Sequence, residues 1–193
     1  MKSRPPGYEQ AVSIDLLKSP VLAVVLTLAG FGLFLLLGWL GLRLLTILRP
    51  DVQSLTLRVS GLGSGLLFLA GLIVLIALTV TLHELVHGVF FWLFTGERPK
   101  LGWKWLYAYA SAPDWYLPRN QHLVVAAAPL GLITAAGLTL LTFAPEPALP
   151  AILFATVANA AGSIGDVVVL ILLLFQPQEA LVQDTGDAIH VYK

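Results

Sequence analysis

The chain has no cysteine and one methionine, and only 11% of its 193 residues are charged. The lack of cysteine excludes disulfides and thiolate metal sites, so any zinc ion must sit on His, Asp or Glu. The shortage of charge excludes an ordinary soluble domain, which carries about 25%. Formal net charge is zero, which removes any general attraction to nucleic acid. What remains is apolar: 58% of the residues are hydrophobic and mean hydropathy is +0.86. The expected fold is all-α, a polytopic protein of the lipid bilayer forming one integral membrane domain over residues 1–193.

Four apolar segments reach the roughly 20 residues needed to cross a bilayer. Spans are expected at about 21–48, 62–95, 122–144 and 149–176. Pro145, Pro147 and Pro150 punctuate the turn between the last two. The polar start of the chain, with Lys2, Arg4 and Lys18, precedes an apolar run too long for a cleaved signal, so the first span is read as a retained anchor. With four spans, both short tails and the stretch from Thr95 to Gln121 share one side. That side holds Lys2, Arg4, Lys18, Arg98, Lys100, Lys104, Arg119 and Lys193, against Arg43, Arg49 and Arg58 on the other. The bias places both termini in the cytoplasm, here of a prokaryotic cell membrane. Val12, Leu16 and Leu17 weakly suit an interfacial helix before the first span.

The loop between spans two and three is rich in aromatics: Trp103, Trp105, Tyr107, Tyr109, Trp115 and Tyr116. Trp and Tyr settle at headgroup level, so an interfacial belt is the plainer reading. The alternation from Trp103 to Tyr109 also has strand period, and such a strand could take up an extended peptide along its edge.

The chemistry concentrates in His83-Glu84-Leu85-Val86-His87, an HExxH motif inside the second apolar run. Histidines four apart on a helix share one face, so both can bind one Zn²⁺, and the glutamate between them is placed to take a proton from water. Ionisable groups inside a membrane are costly, so three together call for a functional reason. A catalytic zinc usually has a third protein ligand. Asp166 is the single acidic residue within the fourth span. At 1.5 Å per residue, His83 and His87 lie roughly 18 and 12 Å from the end of their span, and Asp166 roughly 15 Å from the end of its own. It therefore falls between the histidines in depth. The competitors fit less well. His122 reads as an interfacial polar residue, His190 as a solvated tail residue, Glu97 and Asp114 as surface groups, and Glu146 lies in the opposite turn. Asn159 and Ser163 lie on the Asp166 stripe of the same helix. They read as polar bonds in a packing seam, or as groups beside the metal or positioning a substrate carbonyl. Gly162 and Gly165 offer small surfaces for a neighbouring helix.

His83-Glu84-x-x-His87 in one span, with Asn159-Ala-Ala-Gly-Ser-Ile-Gly-Asp166 in a later one, resembles the small zincin membrane peptidases, and more distantly the site-2 proteases. The likeness runs from about Leu62 to the tail and includes Pro129 in span three. It implies that His83, His87 and Asp166 bind Zn²⁺, that Glu84 is the base, and that Asn159 is the polar residue preceding the aspartate. The site-2 pattern has proline where this chain has Gly162, spaces Asn and Asp eight apart rather than seven, and follows the aspartate with glycine rather than Val167. Metal binding is untouched by these departures, whereas substrate handling is less closely matched. The expected function is a zinc-dependent intramembrane metallopeptidase acting on a membrane protein or peptide, with a polar cavity admitting water from the cytoplasm. A zinc-binding membrane scaffold or regulator without turnover is the alternative, and a transporter a distant third. Neither substrate nor oligomeric state can be read from the residues.

Overall fold

The computed structural model describes residues 1–15, 19–52, 59–104 and 107–193. Leu16, Leu17, Lys18, Arg58 and Trp105 lie outside these described residues. Four stretches of helix are long and apolar enough to cross a membrane: α1 (Pro20–Leu48), α2 (Gly61–Thr95), α3 (Arg119–Phe143), and a fourth formed by α4 (Leu149–Gly162) and α5 (Ile164–Leu174) after a short 3₁₀ turn. Local chemistry sets their ends. Pro20 opens α1 with its ring already at a helical φ, and the Ser19 hydroxyl accepts the Leu22 N–H at 3.4 Å. Gly96, at φ 70°, closes α2 by donating its N–H to Trp92 O. Arginines cap two C-termini: Arg49 Nη1 donates to Ala144 O at 2.7 Å beyond α3, and Arg119 Nε to Leu173 O at 2.6 Å on α5.

The all-α expectation is corrected by two sheets. β2 (Lys100–Lys104) and β3 (Tyr107–Ser111) form an antiparallel hairpin in the aromatic stretch between α2 and α3. A second, four-stranded antiparallel sheet runs in the order β1-β6-β5-β4, from β1 (Gln10–Asp15), β4 (Leu117–Pro118), β5 (Leu181–Asp184) and β6 (Ala188–Tyr192). The tails are therefore structured. Residues 10–15 are a strand, not an interfacial helix, because Val12 and Ile14 pair with Val191 and Ile189. His190 sits in β6 with its Nδ1 at 3.0 Å from the Ser13 hydroxyl, so it is not a loose tail residue. Both tails and the stretch after α2 meet in this sheet, which places them on one side of the helices.

α1 buries almost nothing but Leu45, and residues such as Val21, Leu62, Leu67, Phe143 and Phe175 point outward, as lipid-facing positions should. The buried apolar residues fall into three clusters. Leu45, Leu141, Leu149, Leu153 and Val157 pack at the end of the bundle away from the sheets. Phe91, Ala112, Leu117 and Val125 pack under the hairpin, and Leu173, Ala180, Val182 and Val191 join α5 to the four-stranded sheet. The close helix approaches are not at Gly162 and Gly165, which face open space. They lie at Gly137 on α3, where a Cβ would fall 2.0 Å from Thr156 Oγ1, and at Gly41 on α1 against Leu153.

Candidate metal centre

Thr79, His83, His87 and Phe91 recur every fourth residue along α2, and this stripe faces the interior of the bundle. His83 Nε2 and His87 Nε2 lie 3.2 Å apart. Asp166, in the first turn of α5, brings Oδ2 to 3.1 Å from His83 Nε2 and Oδ1 to 3.3 Å from His87 Nε2. No other group of three or more metal-ligating side chains occurs among the described residues.

The other ring nitrogens fix what these atoms are. His87 Nδ1 lies 3.0 Å from Val125 O, and a carbonyl can only accept, so Nδ1 carries the hydrogen. His83 Nδ1 lies 3.0 Å from Asn159 Oδ1. The Asn159 amide is oriented by its other end, since Nδ2 donates to Pro129 O at 3.2 Å. Both Nε2 atoms therefore present bare lone pairs to the same point as the carboxylate, which is unfavourable unless a cation or proton sits among them. The spacing suits zinc: ligands about 2.0–2.2 Å from a tetrahedral ion lie about 3.3–3.5 Å from one another. Two imidazoles and one carboxylate form a donor set of the kind that catalytic zinc sites use.

Pro129 explains why a helix carbonyl is available. A residue at position 129 would ordinarily donate its N–H to Val125 O, and proline has none. The freed oxygen is the one His87 uses, while Pro129's own carbonyl takes the Asn159 amide. Pro129 is part of the resemblance, but its role in the site is not legible from that likeness. The signal that could have found its role is a proline inside a span, since the carbonyl four residues back must find another donor.

Glu84 Oε2 accepts the Ala110 N–H of β3 at 2.8 Å. The hairpin gets this close because residue 88 is glycine: a Cβ there would meet Pro99 and Leu101 at 3.3 and 3.4 Å. Ser163 is buried, and its hydroxyl donates to Asn159 O within its own helix at 2.9 Å. The helix has a slight break at Ser163 (φ −69°, ψ 8°), yet Asn159 and Asp166 on either side of it both reach His83. His122 is no interfacial residue. It is 2% exposed beneath the hairpin, its ring 5.9 Å from that of Phe91, and its Nδ1 has no hydrogen-bond partner. Glu97 and Asp114 do sit at the surface, pairing with Lys2 and Lys100.

The side chains of His83, His87 and Asp166 keep 14%, 11% and 21% of their surface exposed, enough for a water molecule to reach them. A hollow of about 550 Å³ among the described residues does not have the polar lining expected of a water-admitting cavity. It is an apolar groove lined by Phe90, Leu123, Ala127, Gly131 and Leu170 among others.

One acidic residue near the centre was not anticipated. Asp184, the last residue of β5, is partly buried, and its Oδ1 accepts the Gly186 N–H at 2.8 Å. Burial pushes its carboxyl up to about 7, against the pull of that N–H, and the charges of His87, Glu84 and Asp166 all act on it.

Four helical stretches apolar enough to cross a membrane, and a two-histidine, one-carboxylate cluster that could hold a metal ion beside a glutamate, give the class its outline, a membrane protein with a candidate metal centre. Residues 76–181, more than half of the chain, match the family described as putative zincin peptidase, and the chain belongs to that family. The match spans HExxH, Pro129, Asn159 and Asp166 and stops before Asp184. No curated protein and no solved structure matches the chain.

Proposed function

We propose that the protein is a zinc-dependent intramembrane metallopeptidase that hydrolyses peptide bonds of membrane-associated substrates, in the manner of the site-2 proteases. The observation that carries this reading is the meeting of two imidazole nitrogens 3.2 Å apart with a carboxylate whose two oxygens lie 3.1 and 3.3 Å from them, beside Glu84, on helices apolar enough to lie in a bilayer. His83, His87 and Asp166 are the residues that would hold the ion. When bound, zinc supplies a Lewis acid and lowers the pKa of a coordinated water to about 7.

The protein's own groups do the rest. Val125 O and Asn159 Oδ1 hold the two imidazoles in the tautomer that presents Nε2. Glu84 takes a proton from the attacking water, whose oxygen bonds to the scissile carbonyl carbon. The same carboxyl then hands that proton to the nitrogen as the C–N bond breaks. A substrate helix hides its carbonyls in its own hydrogen bonds and must unwind locally before reaction. The β3 edge that faces Glu84 supports a receiving surface, since an extended peptide laid along it could take over the Ala110 N–H.

Purified protein is expected to carry about one zinc per chain and to cleave a membrane-protein substrate in detergent or vesicles. Glu84→Gln should keep the zinc and lose cleavage by about 10²–10⁴-fold. Cleavage at the wild-type rate by a zinc-loaded Glu84→Gln protein would overturn the mechanism. A cellular phenotype that survives Glu84→Gln but not His83→Ala would favour the scaffold reading instead.

A further inference from the structure

The turn between β5 and β6 is pressed against the hairpin that serves the metal centre. A Cβ on Gly186 (φ 83°) would fall 2.6 Å from the Tyr109 ring and 3.3 Å from Ser111 Oγ. Between those two residues lies Ala110, whose N–H is held by Glu84. The turn is fixed in place from both sides. Gln183 Nε2 donates to Pro113 O at 2.7 Å, and Leu181 and Val182 pair with Pro118 and Leu117 just before α3. The chain thus carries Asp184 to the edge of the site from a part of the sequence that the family match does not reach.

Asp184 is out of keeping with its surroundings. It is partly buried, and no lysine or arginine among the described residues pairs with it. The ion pairs of the same side, Lys2–Glu97 and Lys100–Asp114, are spent elsewhere. Beside the turn, Ser111 Oγ is 1% exposed and has no hydrogen-bond partner. A partly buried carboxylate held by one N–H and no cation, and an unused buried hydroxyl next to the same glycine turn, are both costly unless a ligand satisfies them. Asp166 and Glu84 balance a divalent ion in charge, so Asp184 leaves the loaded site with one negative charge in excess.

We propose that Asp184, with Ser111 Oγ, forms a subsite for a cationic side chain, lysine or arginine, of a peptide lying along the β3 edge close to the bond that is cut. The proposal rests on the peptidase reading given above. The chemistry of the substrates fits it, because membrane proteins concentrate Lys and Arg just beyond their cytoplasmic span ends. The excess charge is placed at the sheet side of the helices, where both tails and the β2–β3 hairpin gather.

The test uses a set of otherwise identical apolar peptides in which lysine or norleucine occupies each position in turn. Binding to the zinc-loaded Glu84→Gln protein is read by fluorescence anisotropy, and cleavage by zinc-loaded wild type is read in parallel. At one position lysine should bind about tenfold more tightly than norleucine, a difference of about 1.4 kcal/mol. That ratio should fall to about one with Asp184→Asn added, and stay near ten with Asp184→Glu. Asp184→Ser, which keeps an acceptor for the Gly186 N–H, serves as the neutral variant if Asp184→Asn does not retain zinc. No lysine preference at any position, or a preference that survives both neutral variants, would overturn the subsite. A lysine preference in binding without any cleavage by wild type would instead sink the peptidase reading and leave the subsite standing. Cleavage with no preference would do the reverse.

Discussion

α2 and α3 flank the same metal centre and serve it in opposite ways. α2 contributes side chains: two imidazoles and the carboxylate between them. α3 contributes carbonyl oxygens, Val125 O to His87 and Pro129 O to Asn159, which in turn holds His83. One helix supplies the reactive atoms and the other decides which way they face. The difference teaches that a ligand's identity and its orientation are separate problems, and that the second can be solved by leaving a hydrogen bond out of a helix.

The largest effects should come from α2 and its partner aspartate. His87→Ala or Asp166→Ala removes a ligand outright, and metal analysis should show zinc lost at concentrations that saturate wild type, with cleavage lost too. Full zinc affinity in Asp166→Ala would break the three-ligand assignment. Changes on the orienting side should be smaller. Pro129→Ala restores an N–H to compete for Val125 O, and zinc affinity measured by competition with a chelator should weaken about tenfold, within the range for supporting residues. Asn159→Ala should cost a similar factor through His83. An effect of either equal to that of His87→Ala would erase the distinction between the two helices.

The smallest effect concerns Asp184. Its carboxyl titrates near 7 in the folded chain against 3.8 as its ordinary value. The folded state therefore holds a proton that the unfolded state releases, and stability falls as pH rises from about 4 to about 7. Asp184→Asn should flatten this slope and raise the thermal midpoint of metal-stripped protein at pH 8. At pH 4 the two proteins should melt together.

Much of this was legible in the sequence, for reasons that differ by element. Long uninterrupted apolar runs leave little freedom, so the four helices fall close to the expected spans. HExxH carries its own geometry, because a spacing of four on a helix places both rings together. Asp166 could be found because a membrane span holds so few carboxylates. The sheet was harder to see. β1 and β6 are short, and Gln10 pairs with Tyr192 across nearly the whole chain, a contact that no local pattern announces. The β5–β6 hairpin did leave a trace, in the Asp-Thr-Gly-Asp turn before the alternating Ala-Ile-His-Val-Tyr run. Asn159 was legible only as a seam residue, a group beside the metal ligands or one positioning a substrate, and its amide oxygen lies against His83, as the second of these has it. That distinction depends on which carbonyl lies across the bundle.

The pairing of β1 with β6 also sets an order of events during synthesis. The first strand is complete once Asp15 is made, but its neighbour ends at Tyr192. At about 5–20 residues per second, β1 waits on the order of ten seconds or more, while all four hydrophobic segments enter the bilayer. The turn carrying Asp184 reaches Tyr109 only when β5 and β6 emerge, after His83, His87 and Asp166 have already been translated. The proposed ligands are therefore all in place in the chain before this wall arrives, and the site takes its final shape only once β6 has emerged.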